Sequence, residues 1–172
     1  MDKNHKLLFH GAKSRIEGKL DIHKSRTNND LGQGFYTGER YEQAISFISG
    51  FEKSSVYIFD FKEEGLKGKK YNVNQEWMMT IAYYRGALEE YENHPIIKKL
   101  IEKSCDCDYI IAPIADNRMF QIIKSFIMGE ITDEQCKHCL AATNLGYQYV
   151  FKSDKAIKSL KMLERCYISE KE

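Results

Sequence analysis

A short glycine-rich segment constrains the fold of this chain more than any other feature. It reads Asp30-Leu31-Gly32-Gln33-Gly34-Phe35-Tyr36-Thr37 and places two glycines one residue apart, directly before an aromatic pair. Glycine serves where the backbone needs positive φ or where a side chain would block a close approach. The aromatic pair favours a strand. The segment therefore predicts a loop-to-strand element that holds one aromatic ring beside a gap in which a ligand can bind.

Strand and helix patterns on both sides of this segment predict an α+β fold. Strands are expected at 6–10, 55–61, 108–114 and 147–151, with a closing strand at 166–168. Helices are expected at 37–51, 74–92, 94–103, 116–129 and 132–143, with a last one beginning at 153. Residues 63–70 are expected to form a turn, and 12–29 a short helix followed by a long loop of the kind that is often functional. The absence of repeats and linkers in 172 residues predicts a single domain, 1–172.

Composition limits the partners and the compartment. The formal net charge is +1, so electrostatics alone gives no reason to expect a nucleic-acid or membrane partner. An odd count of five cysteines and a polar start without a signal peptide favour reduced thiols in a cytoplasmic protein. No apolar run approaches the length that spans a bilayer.

Two cysteine pairs and one histidine are candidates for chemistry. Cys136-x-x-Cys139 lies within a helical pattern and Cys105-x-Cys107 lacks a partner pair at zinc-finger spacing, so no metal is expected. Four of the five histidines lie in loops or on polar faces. His10 differs, because it ends an apolar strand, precedes a glycine and is followed by the polar loop that leads to the glycine-rich segment.

Leu7-Leu8-Phe9-His10-Gly11 together with the glycine-rich segment resembles the NAD-binding half of the diphtheria-toxin-like ADP-ribosyltransferases, a superfamily that includes the poly(ADP-ribose) polymerases. More narrowly, the chain looks like a bacterial family of formerly unknown function with an Asp-Phe-Gly-x-Gly-Phe-Tyr segment. That family also has an Ala-Asp-Asp-Arg-like segment, matched here by Ala115-Asp116-Asn117-Arg118, and a late Gln-Tyr-x-Phe-x-Ser strand, matched by Gln148-Tyr149-Val150-Phe151-Lys152-Ser153. The resemblance implies split antiparallel sheets around an NAD cleft, with flanking helices.

The resemblance also implies roles for residues of the first two motifs. His10 would bond the 2′-hydroxyl of the adenosine ribose, and Gly11 would offer backbone N–H and C=O to the nicotinamide carboxamide. Tyr36 would stack on the nicotinamide ring, beside Gly34, which gives the cofactor room. Phe47, one turn along the following helix, would be a second stacking aromatic.

The third motif departs from the superfamily pattern. The polymerases carry a glutamate on the late strand that binds the nicotinamide ribose, and the matching residue here is Gln148, which keeps the hydrogen bond but not the charge. Loss of such a charge could slow the reaction about a hundredfold. Asp116 and Asn117 are therefore candidate helpers, with Arg118 as a contact to pyrophosphate or acceptor and Arg26 as a contact to phosphate.

The function implied by the resemblance is NAD-dependent ADP-ribosyl transfer to a macromolecular acceptor, a protein or a nucleic acid, with NAD consumed as substrate and nicotinamide released. A bacterial toxin with a cognate antitoxin, or a phage-defence effector, would suit this activity. Two alternatives stay open: an NAD glycohydrolase that uses water as acceptor, and a catalytically silent NAD- or nucleotide-binding module. Asp30 is expected to form the turn that opens the glycine-rich segment rather than to act as a catalyst.

Overall fold

A computed structural model describes residues 4–167, in which seven strands form one open, mostly antiparallel sheet. The strands are β1 (His5–Ala12), β2 (Phe35–Gly38), β3 (Ser55–Lys62), β4 (Gly68–Lys70), β5 (Tyr109–Pro113), β6 (Tyr147–Phe151) and β7 (Leu160–Tyr167). Their order across the sheet is β4-β5-β6-β2-β1-β3-β7, and β4 and β5 pair in parallel. The α+β class expected from the sequence is confirmed at this level.

Six α-helices accompany the sheet within the described residues. They are α1 (Tyr41–Ile48), α2 (Gln75–Tyr84), α3 (Pro95–Cys105), α4 (Asn117–Ile127), α5 (Asp133–Ala141) and α6 (Asp154–Lys158). Four helix starts are fixed by predicted caps, whose side-chain oxygens each accept a hydrogen bond from a backbone N–H of the first turn. These caps are Asn74, Asp116, Thr132 and Ser153.

Both faces of the sheet bury apolar side chains. One cluster joins β5 and β6 to α2, α4 and α5, and its fully buried members include Trp77, Ile110 and Ile123. A second cluster on β1, β3 and β6 includes Leu8 and Phe59. Complete burial of such side chains contributes roughly 1.5–3 kcal/mol each, which is why the amphipathic helices dock against the sheet.

The sheet narrows to a single residue pair at its middle. β1 pairs with β3 along eight successive positions, from His5 to Ala12, but it pairs with β2 only through Phe9 and Gly38. Beyond Phe9 the two strands diverge. The expected pair of split sheets is therefore corrected to one continuous sheet, whose two halves meet at this junction.

Two predicted elements differ because long-range pairing overrides the local pattern. Thr37 was expected to cap a helix, but it lies inside β2, where its hydroxyl donates to the Tyr149 carbonyl at 3.0 Å, and α1 begins only at Tyr41. The turn predicted at 63–70 contains β4, which pairs in parallel with β5.

Other boundaries shift without changing the architecture. The short helix expected after residue 12 is a single 3-10 turn, Ile22–Lys24. The helix capped by Asn74 ends at Tyr84 rather than near residue 92, because Gly86 follows with φ +85. The closing strand begins at Leu160, earlier than expected, and Ile168 lies outside the described residues. No helix between residues 4 and 167 is long and apolar enough to cross a membrane.

Candidate functional site

A large cleft opens where β1 and β2 diverge. Its volume is about 1690 Å³, above the ~300–1,000 Å³ typical of small-molecule sites. The end of β1, the loop 12–29, the glycine-rich segment, α1 and the segment 114–117 form its walls. All site residues expected from the sequence line it except Arg118: His10, Gly11, Arg26, Gly34, Tyr36, Phe47, Asp116, Asn117 and Gln148.

His10 joins the two halves of the sheet through its side chain. Its Nδ1 lies 2.6 Å from the backbone oxygen of Tyr36, and its ring stacks on Phe35 at 4.3 Å between centroids. A carbonyl oxygen can only accept, so Nδ1 carries the hydrogen. Burial lowers the pKa of His10, which keeps the imidazole neutral. Nε2 then bears a lone pair, has no partner among the described residues, and can accept a hydrogen bond from a ligand hydroxyl.

Tyr36 contributes its ring, not its hydroxyl, to the cleft. The hydroxyl donates to the Gly32 carbonyl at 2.5 Å and accepts from the Leu31 N–H at 3.0 Å. Burial raises the pKa of Tyr36 far above its ordinary value, so the phenol stays protonated near neutral pH. The ring is thereby held in one position beside the cleft.

Lys152 holds the glycine-rich segment through two hydrogen bonds. Its Nζ donates to the carbonyls of Leu31 at 2.7 Å and Gln33 at 2.8 Å, and burial lowers its pKa. From the other side, the Gly34 N–H donates to the Ser25 hydroxyl at 2.9 Å. Lys152 lies in the late motif, yet nothing local in the sequence indicated that it reaches back to this segment.

Two glycines of the site are required by close packing. A Cβ on Gly34 would lie 2.8 Å from the Phe151 carbonyl oxygen, and one on Gly11 would overlap the Ala44 carbonyl of α1.

Successive backbone groups of a strand point to opposite edges. Beyond Phe9, part of the β1 backbone therefore faces the cleft without a strand partner.

Asp30 lies deep in the cleft, where the sequence predicted only a turn residue. Its Oδ1 is 3.4 Å from Nη1 of Arg85, and both side chains are mostly buried. Burial raises the pKa of Asp30, although Arg85, the Gln148 amide and the Ala115 backbone N–H oppose this shift. The sequence offered no signal for this cluster, because its members come from four separate segments.

Arg85 is fixed independently of Asp30. Its Nη2 donates to Oδ1 of Asn117 at 2.6 Å, and its guanidinium lies 4.3 Å from the centre of the Phe120 ring. Arg85 was not predicted, since it follows the last residue of α2. The Ala-Asp-Asn-Arg-like segment therefore lines the cleft and also fixes the position of this arginine.

Gln148 occupies the β6 position expected from the late motif. It is 8% exposed, lies opposite Gly38 of β2, and donates through Nε2 to the Pro113 carbonyl at 3.3 Å. The side chain is neutral, as the sequence required.

The remaining predicted residues are exposed to solvent. Asp116 is exposed and accepts a hydrogen bond from the Met119 N–H at 2.8 Å as the cap of α4. Arg118 is exposed outside the cleft, and Arg26 is exposed on the loop. Phe47 is 65% exposed on α1.

No cluster of three or more histidine, cysteine or acidic side chains that could hold a metal ion occurs in the part of the chain that is described. The cleft brings together a neutral histidine, a fixed ring, an amide and the Asp30–Arg85 pair.

Comparison with protein families places residues 7–162 in a family described as "Protein of unknown function (DUF3990)", and the chain belongs to that family. No curated protein and no solved structure matches the chain. The family description states no activity, so function has to be argued from the cleft.

Proposed function

We propose that this protein is an NAD-dependent ADP-ribosyltransferase that modifies a macromolecular acceptor. The observation that carries the proposal is the meeting of His10, Tyr36 and Gln148 in one cleft, although they come from three different strands. These residues belong to three separate motifs of the sequence. Their convergence is what a shared ligand requires.

The cleft offers a matching group for a ribose, the carboxamide and the nicotinamide ring of NAD. Nε2 of His10 can accept from a ribose hydroxyl, and the unpaired edge of β1 near Gly11 can pair with a carboxamide. The fixed Tyr36 ring can stack on the nicotinamide.

The charges that line the cleft suit the pyrophosphate. Five cations, Lys13, Arg15, Lys19, Lys24 and Arg26, lie on its loop, against two carboxylates, Glu17 and Asp21. A local excess of positive charge attracts the phosphates of a dinucleotide. Arg26, the candidate phosphate contact, is one of these five cations.

The proposed reaction breaks the bond between the nicotinamide nitrogen and C1′ of its ribose. The bonding electrons leave with nicotinamide, which becomes neutral, and the positive charge passes to the ribose as an oxocarbenium ion. An acceptor oxygen or nitrogen then bonds to C1′ and releases its proton to solvent. Gln148 would bond the ribose 2′-hydroxyl, and the held geometry would lower the barrier by orientation.

A cleft open to solvent and larger than a typical small-molecule site leaves room for a protein or nucleic-acid acceptor beside NAD. A toxin role, in which a cognate antitoxin blocks the cleft, rests on the family resemblance and belongs to this proposal. Expression in a bacterial host should then arrest growth, and the His10→Ala variant should not.

A catalytically silent NAD-binding module is the second candidate, and the uncharged Gln148 favours it. Such a module would gain thermal stability with NAD yet release no nicotinamide. Hydrolysis would release nicotinamide without adding mass to any partner.

Incubation with adenine-labelled NAD and a host lysate tests the proposal. The wild type should release nicotinamide and label a macromolecule, and His10→Ala should do neither. His5→Ala is the matched control, because His5 lies on the same strand but pairs with Asp60 outside the cleft. Nicotinamide release that is equal in all three proteins would overturn the assignment of the site.

A further inference from the structure

Asp30 lines the cleft with its side chain mostly buried, and its carboxylate lies 3.4 Å from the guanidinium of Arg85. Desolvation raises its pKa more than Arg85, the Gln148 amide and the Ala115 N–H lower it. A buried carboxylate in this condition gains stability when a cation arrives beside it.

A purely structural ion pair does not account for this placement. Arg85 is already held by Asn117 and stacks on Phe120, so it does not need Asp30 to fix its position. Both Asp30 and Arg85 line the cleft rather than the core. Buried ion pairs are often no more stabilising than apolar pairs of the same size, so stability alone does not explain this one.

Asp30 also lies near Gln148, the residue that matches the late-strand glutamate of the resembled enzymes. Gln148 donates through Nε2 to the Pro113 carbonyl, and its amide also lowers the pKa of the Asp30 carboxylate. The amide dipole thereby favours the ionised carboxylate at this end of the cleft.

We propose that Asp30 supplies the negative charge that faces the nicotinamide ribose, and that Gln148 orients its carboxylate. This inference rests on the proposed function. As the bond between nicotinamide and C1′ breaks, Asp30 stays ionised, forms no covalent bond and stabilises the cationic ribose through space. The charge missing from β6 is therefore supplied from the turn that opens the glycine-rich segment.

The first test compares Asp30→Asn with Glu130→Gln. Glu130 is an exposed carboxylate that does not line the cleft, so its loss removes the same charge far from the site. Asp30→Asn should lower kcat for nicotinamide release about a hundredfold and weaken NAD binding far less, and Glu130→Gln should change neither. Equal kcat in wild type and Asp30→Asn would overturn the inference and leave the proposed function standing.

The pH profile separates a catalytic charge from a structural one. Arg85, Asp116 and Tyr36 are the charged and titratable groups that face Asp30. Because its pKa is raised, kcat of the wild type should fall on acidification at a pH above the ordinary range of aspartate. Asp30→Asn should not show this fall in kcat at low pH. The same fall in the variant would contradict the inference.

The double variant Asp30→Asn/Gln148→Glu moves the charge to β6. It should recover about tenfold of the activity that Asp30→Asn loses, since the carboxylate again faces the same ribose. If Asp30→Asn fails to fold, the double variant and the pH profile of the wild type still decide the question. No recovery in a folded double variant would count against a purely electrostatic role.

A binding measurement keeps the inference testable without turnover. The nicotinamide of NAD⁺ is cationic and that of NADH is neutral, so the wild type should bind NAD⁺ more tightly, and Asp30→Asn should bind both alike. An equal preference in the two proteins would overturn the inference. If NAD⁺ binds but no nicotinamide appears, transfer is wrong while the placement of Asp30 is still decided; if neither dinucleotide binds, both proposals fail.

Discussion

The two walls of the cleft are built differently. The inner wall comprises His10, the glycine-rich segment from Asp30 to Tyr36, and Gln148, and most of its polar groups are bound within the protein. The outer wall comprises residues 13–20 and Phe47. In residues 13–20, within the described chain, the backbone makes one hydrogen bond to a side chain, from the Ile16 N–H to the Tyr57 hydroxyl.

This contrast indicates that the two walls bind different partners. A wall held by internal hydrogen bonds is preorganised for one ligand shape and loses little entropy on binding. A wall with few bonds adapts to different surfaces. We therefore expect the fit of the nicotinamide end of NAD to depend on the inner wall. Acceptor recognition, together with attraction of the pyrophosphate, should depend on the outer wall.

The largest effect is expected from truncation of the inner wall. Tyr36→Ala should abolish nicotinamide release, because it removes the stacking ring, and it should also loosen the segment. Tyr36→Phe is the sharper variant. It keeps the ring but leaves the Leu31 N–H and the Gly32 carbonyl without their partner, which should reduce the free energy of unfolding by about 1–3 kcal/mol. Chemical denaturation and NAD titration would measure the two losses, and an unchanged stability would contradict the described clamp.

The next largest effect is expected from Lys152, which holds the inner wall in place. Lys152→Met keeps the length of the side chain but removes both hydrogen bonds to the glycine-rich segment. The Kd for NAD should rise about tenfold, since a looser loop has to be ordered on binding. Isothermal titration would test this, with the exposed Lys155→Met as control. Equal affinities in the two variants would show that the wall does not need this support.

A smaller effect is expected on the outer wall. Phe47→Ala removes an exposed ring that contacts Lys13, and it should weaken NAD binding only two- to fivefold, or about 0.5–1 kcal/mol. Labelling of the acceptor should fall further. Phe51→Ala is the matched control, because Phe51 is also exposed and also lies beside Lys13, yet it does not line the cleft. A loss of NAD affinity as large as that of Tyr36→Ala would remove the distinction between the walls.

The smallest effect is a pH dependence of stability. Burial places the pKa of His10 below the ordinary 6.5, so between these two values the unfolded chain binds more protons than the folded one. The free energy of unfolding should therefore decrease as pH falls through this window. His10→Gln should show a weaker decrease, measured by denaturant titrations between pH 7.5 and about 5.5. The raised pKa of Asp30 acts in the opposite direction in both proteins and cancels in the comparison.

Local signals predicted much of the fold. Asn74, Asp116, Thr132 and Ser153 cap their helices as expected, because a cap depends only on neighbours within one turn. Thr37 and β4 could not be placed in this way. Their strands exist through pairing with β6 and β5, respectively, which lie far along the chain.

The same limit applies to the cleft. His10, Tyr36 and Gln148 could be selected because each belongs to a motif of several residues. Asp30 and Arg85 could not be selected in this way, because what distinguishes them is a long-range contact between a turn and the end of a helix. A single sequence indicates which residues suit a ligand but not which distant side chains complete them.

The junction at Phe9 and Gly38 has a mechanical consequence. With one ladder pair between the halves of the sheet, the imidazole of His10 is a second tie between β1 and β2. A ligand hydroxyl that donates to Nε2 polarises the ring and strengthens the bond from Nδ1–H to the Tyr36 carbonyl, because linked hydrogen bonds reinforce one another. A bound ligand should therefore make the junction between β1 and β2 more rigid. Hydrogen exchange of the β2 backbone amides should then slow, even at residues that the ligand does not contact.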